Sequence, residues 1–169
     1  AADERAAAAR KASGFRAVWR ALCEARVPLV GHNCLFDLLF LFHYLEAPLP
    51  PTLSEFKRAI SALLPRVWDT KLIAIESGSY GGWSDTELGR LHARCVEEAS
   101  TTEEQRARRP LGCVLADGYE RFGGGSDGGD DFAHEAGYDA LLTAVVFRTL
   151  DERDLARAQL RNRISLGTS

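Results

Sequence analysis

The sequence predicts a helix-rich α/β fold, on three observations. Val27 to Val30 is apolar, ends at Gly31 and is too short for a helix, so it reads as a strand, and the segment carrying Val67 and Trp68 reads as a second strand over Arg66 to Thr70. Segments with apolar residues at helical spacing surround both. A length of 169 residues with 46% hydrophobic and 27% charged residues suits one domain with a real core.

The elements follow in order. Between Ala1 and Arg26, Phe15, Val18, Trp19 and Leu22 recur at i, i+3, i+4, i+7 and predict an amphipathic helix starting near Ser13. The strand Val27 to Val30 ends at Gly31-His32-Asn33, where Asn33 suits a helix N-cap. Cys34 to Glu46 is apolar nearly all round, the pattern of a helix enclosed by protein, and Pro48, Pro50 and Pro51 end it. Ser54 to Leu64 is a further amphipathic helix, and the strand at Arg66 runs into a helix or turn by Ile75. Residues 77–82 read as a loop, and Ser84 to Glu98 as a helix with Leu88, Leu91 and Cys95 on one stripe. Residues 99–131 are polar and Gly-rich, a flexible insertion with one short apolar piece at Leu111 to Leu115. Tyr138 to about Arg163 reads as one long helix.

With 21 Lys+Arg against 24 Asp+Glu the net charge is −3, which excludes a generally basic coat and confines any nucleic acid to a focused site. The longest apolar stretch, Cys34 to Leu45, contains Asp37 and His43 and falls short of the ~20 residues that span a bilayer. Cys23, Cys34, Cys95 and Cys113 form no CxxC pair, so reduced thiols in an intracellular compartment are expected, whether cytoplasm, nucleus or an organelle such as the mitochondrion. His32 and Cys34 lack a second ligand pair at zinc spacing. The sequence contains no methionine and starts Ala-Ala-Asp-Glu, which suggests a processed chain or part of a longer polypeptide.

Two features carry chemistry. Asp37 is a lone carboxylate in the greasy helix, where it either sits in the first turn on the helix dipole or ligates a metal. His134 and Asp139 are five residues apart, about 140° around a continuous helix, so they share one site only if His134 lies in the loop before the helix. By itself that spacing equally suits a surface His with a capping carboxylate.

Taken in order, the stretches VPLVGHN, LSEFKRAI, LLPRVWDTKLIA, GYERF and HEAGYDALLTA resemble the poly(A)-specific ribonuclease branch of the deadenylases, DEDD exonucleases of ribonuclease H-like fold. The resemblance runs from about Phe15 to Phe147. It implies that Asp37 and Asp139 are acidic metal ligands and that His134 positions or deprotonates the attacking water. It also implies that His32, Asn33 and Lys71 contact the RNA chain. Two Mg²⁺ ions would activate the water and stabilise the leaving 3′ oxygen, releasing 5′-AMP from an RNA 3′ end such as poly(A).

One part of the family pattern is missing. The Asp-x-Glu strand expected upstream of Gly31-His32-Asn33 does not occur: Asp3 and Glu4 are adjacent, and Asp85-Thr86-Glu87 lies downstream, where Ser84-x-x-Glu87 reads as a capping box. Residues 1–150 are therefore expected to be the C-terminal part of a nuclease domain. The fold is a partial ribonuclease H-like one whose N-terminal strands come from a missing half or a partner subunit. Residues 151–169 form a basic helical extension, with Arg153, Arg157, Arg161 and Arg163 on a solvated or ribonucleoprotein-facing strip. The chain alone is expected to be inactive. The alternative is a repurposed, non-catalytic module that contacts RNA or serves as a structural subunit of a large ribonucleoprotein.

Overall fold

The computed structural model describes residues 14–81, 85–99, 117, 135–152 and 157–166. Their order is α1 (Phe15–Ala25), β1 (Leu29–Gly31), α2 (Leu35–Leu45), α3 (Leu53–Leu63), β2 (Val67–Asp69), α4 (Thr70–Gly81), α5 (Leu88–Ala99), α6 (Ala136–Glu152) and a 3₁₀ turn (Ala158–Leu160). The helix-rich α/β class is the one predicted. Strands β1 and β2 pair in parallel, and Leu29 N–H donates to Arg66 O at 2.8 Å. A parallel pair needs a long crossover, which α2 and α3 provide in sequence.

The chain divides into two compact units. One comprises residues up to Leu29 together with Cys34–Val67, and the other comprises Val30–Asn33 together with Trp68 onward.

In the first unit, α1 opens at Gly14 and closes on Arg26 with φ 50°, a left-handed stop. Its predicted stripe is only partly buried: Trp19 is enclosed and its Nε1–H donates to Glu46 at 3.0 Å, whereas Phe15 and Val18 are exposed. Helix α2 buries Leu38 and Phe42, one turn apart, and Phe42 meets Phe56 of α3 edge-to-face at 5.6 Å. The expectation of an enclosed α2 is corrected here. Phe36, Phe40 and Tyr44 are 68%, 59% and 65% exposed, because the described residues pack against only one side of a helix that is apolar on both. Cys34, not Asn33, occupies the α2 N-cap, since Asn33 has turned to φ 55°. Helix α3 begins earlier than predicted because Thr52 and Glu55 form a reciprocal capping box.

In the second unit the core is built by Ile73 and Ala74 of α4, Leu91 and Cys95 of α5, Val146 and Leu150 of α6, and Leu160. Trp68 and Phe147 rings add to it at 5.9 Å. Helix α4 runs through Gly81, so the loop predicted from residue 77 is helical up to there; Ser77 is accommodated by donating to Ala74 O at 2.8 Å. Ser84 lies outside the described residues. The α5 cap is Glu87, whose carboxylate accepts from Gly89 and Arg90 N–H at 3.1 Å each. Asp85-Thr86-Glu87 thus leads into a helix rather than forming a strand.

The predicted long C-terminal helix is also corrected. Helix α6 is described over Ala136–Glu152, and residues 157–166 hold the 3₁₀ turn followed by irregular chain rather than α-helix. Arg157, Arg161 and Arg163 therefore do not line one helical strip. The chain turns because Leu160 enters the core and Arg163 pairs with Glu76 at 3.0 Å. The Gly-rich insertion assigned to residues 99–131 lies outside the described residues apart from Ala99 and Asp117.

Candidate functional site around the Gly-His-Asn turn

Strand β2 ends on Asp69, and α4 begins at the next residue. An Asp at that junction caps the helix: its Oδ1 accepts from Lys71 N–H at 3.0 Å and Leu72 N–H at 3.4 Å. The same oxygen accepts from Asn33 N–H at 2.9 Å, and Oδ2 accepts from Ser165 N–H at 3.1 Å. Asp69 is only 1% exposed, so its charge is compensated by these four amides. Asn33 is held in the left-handed region that Asn tolerates better than most residues.

Thr70, fully buried, ties the other half of the turn. Its hydroxyl donates to Gly31 O at 3.2 Å and, with that proton committed, accepts from His32 Nδ1–H at 2.9 Å. Burial holds the His32 pKa below the ordinary imidazole value. The Asp69 charge opposes that effect, Lys71 adds to it, and the Thr86 carbonyl and Glu87 again oppose it. Lys71 is itself buried, at 6% exposure.

The structure therefore gathers three of the predicted residues, His32, Asn33 and Lys71, around Asp69 and Thr70. Asp37 lies in the first turn of α2, exposed, and Asp139 in the first turn of α6, half-buried. Both positions place a carboxylate where a helix dipole favours it. Among the described residues neither carboxylate has a hydrogen-bond or ion-pair partner. His134 lies outside the described residues. Among the described residues no three His, Cys, Asp or Glu side chains converge as a metal site. His43 is exposed, and His92 is half-buried with its pKa lowered by burial.

Sequence reasoning passed over Asp69, Thr70 and Ser165. An Asp between a strand and a helix is a legible cap signal. The Ser165 contact spans 96 residues and left no local signal.

A model of the CAF1 family ribonucleases matches residues 1–147. The chain belongs to this family. It is 32% identical over 136 residues to the poly(A)-specific ribonuclease PARN of Homo sapiens, covering 80% of this chain and 19% of that protein. Against the 3′-5′ exoribonuclease parn-1 of Caenorhabditis elegans the identity is 36% over 155 residues, 86% of this chain and 25% of the relative. A 62-residue match to the poly(A)-specific ribonuclease PNLDC1 of Pongo abelii reaches 44%, over 37% of this chain. The chain spans about a fifth to a quarter of the length of the PARN proteins it matches. Among the described residues no helix is long and apolar enough to cross a membrane.

Proposed function

We propose that this CAF1-family chain is part of a 3′-5′ exoribonuclease domain that removes 5′-AMP from poly(A) 3′ ends. The observation that carries the reading is the family match over residues 1–147; the acids of the site would be Asp37 and Asp139, and its histidine His134. Asp37 and Asp139 would hold Mg²⁺ through carboxylate oxygens. Bound metal supplies charge neutralisation at the scissile phosphate and a lowered pKa for the attacking water. His134 takes up the proton of that water, a contribution of about 10²–10⁴-fold for a positioned general base. His32, Asn33 and Lys71 orient the RNA. We propose further that the acidic set is completed by an Asp-x-Glu strand outside these 169 residues, in a missing half or a partner subunit.

One observation favours a second reading, a module that contacts RNA or a ribonucleoprotein partner without hydrolysing it. That observation is the lack of an Asp-x-Glu ahead of Gly31-His32-Asn33 within these 169 residues.

The test is hydrolysis of a 20-mer of adenylate in Mg²⁺ by the polypeptide encoded by the complete transcript. Release of 5′-AMP that disappears in Asp37→Ala and in Asp139→Ala supports the enzyme. Binding without release in the wild type supports the second reading. The 169-residue chain alone is expected to show no turnover, and turnover by it would refute the completion from outside.

A further inference from the structure

We propose that Asp69 is a positioning residue: one carboxylate sets the backbone of both Asn33 and Lys71 and links them to the carboxyl-terminal segment 157–166, which becomes a working part of the site. This rests on the RNA-contact reading above for its functional consequence, but not for its geometry.

Asp69 Oδ1 accepts from Asn33 N–H at 2.9 Å and from Lys71 N–H at 3.0 Å. Two residues expected on RNA, 38 positions apart in sequence, thus take their backbone reference from a single oxygen. Leu72 N–H also points to Oδ1, at 3.4 Å, and Ser165 N–H reaches Oδ2 at 3.1 Å. Asp69 is thus committed to four backbone amides.

Its second oxygen reaches the tail. Residues 157–166 are anchored at three separated points: Leu160 in the core, Arg163 on Glu76, and Ser165, 4% exposed, on Asp69. The first two anchors would hold a tail anywhere near α4. The third ends on the carboxylate that also shapes the Gly-His-Asn turn. If Ser165 N–H is withdrawn, Oδ2 loses its amide and only the bonds to Oδ1 still orient the carboxylate. The Oδ1 reference shared by Asn33 and Lys71 then loosens.

The test uses the full chain. Ser165→Pro removes the tail donor without touching Asp69. Asp69→Asn keeps one oxygen and replaces the other with an NH₂ group that faces the Ser165 donor, so it serves where the proline variant fails to fold. The readouts are amide exchange at Asn33, exchange at Val146 of α6 as the gauge of stability in the same unit, and the affinity of a fluorescein-labelled 15-mer of adenylate by anisotropy in Ca²⁺. Either variant is expected to speed Asn33 exchange at least about tenfold while Val146 changes less than about twofold. The oligonucleotide Kd should rise about fivefold or more.

Asn33 exchange unchanged in both variants, or Asn33 and Val146 accelerating together, overturns the proposal, the second result showing a general loss of stability in that unit. A faster Asn33 with unchanged affinity overturns the functional link. A wild-type chain that binds no oligo(A) refutes the RNA-contact reading instead, and the exchange data alone then decide whether Asp69 positions the turn.

Discussion

Replacing Asp69 by alanine removes the acceptor of four amide hydrogen bonds at once. Loss of the α4 cap costs about 0.5–2 kcal/mol. The Asn33 and Ser165 bonds, made to a charged acceptor, contribute about 1.5–3 kcal/mol each. The Leu72 contact, at 3.4 Å, adds little. Against this, the variant no longer has to desolvate a carboxylate, and the bonds share one group and do not add fully. The net loss is about 3–4 kcal/mol, which for a urea slope of about 1.5–2 kcal/mol per molar lowers the unfolding midpoint by about 2 M. Equilibrium unfolding by circular dichroism and tryptophan fluorescence measures it, with Trp68 reporting beside Phe147 in the same unit. A loss below about 1 kcal/mol, the size of an ordinary surface substitution, would refute the claim that this carboxylate organises the turn and the tail.

Thr70→Val keeps the shape of a fully buried side chain but strands Gly31 O and the His32 ring; we expect a loss of about 1–3 kcal/mol in the same assay. Stability should also depend on pH through His32 and His92, whose folded pKa values are both lowered by burial. The unfolded chain binds protons more readily at both positions. Their contribution is therefore complete above the ordinary imidazole pKa of about 6.5 and is lost as pH falls through the depressed folded values. At His32 the loss is moderated by Asp69 and Glu87 and increased by Lys71. The urea midpoint should be flat from about pH 8 to 7 and fall below about pH 6.5, and His92→Phe should flatten part of that slope; a midpoint that rises on acidification would contradict the sign.

What the sequence disclosed follows the range of the forces involved. Local patterns were reliable: the α/β class, both strands, the cap-driven start of α3 within a residue or two, and Asp139 in the first turn of α6. Apolar character alone misled at α2, because a helix that is greasy all round states a need for cover without saying whether neighbouring chain meets it, and Phe36, Phe40 and Tyr44 are exposed. The extended helix read through Arg163 failed for a tertiary reason, the pull of Leu160 into the core and of Ser165 onto Asp69. The residues at the turn were chosen for what they could do to RNA, and Asp69 was passed over because its partners lie 36 and 96 positions away. Family resemblance supplied Asp37, His134 and Asp139, none of which spacing alone would have joined.

The function proposed above requires Asp37 and Asp139 to act as metal ligands. Anomalous diffraction at the manganese edge, from the complete polypeptide crystallised with Mn²⁺, addresses it directly. Two manganese peaks about 3.5–4 Å apart, with carboxylate oxygens of both residues in their coordination shells, are the result expected. Carboxylates more than about 10 Å apart, or manganese bound without either of them, would contradict the account.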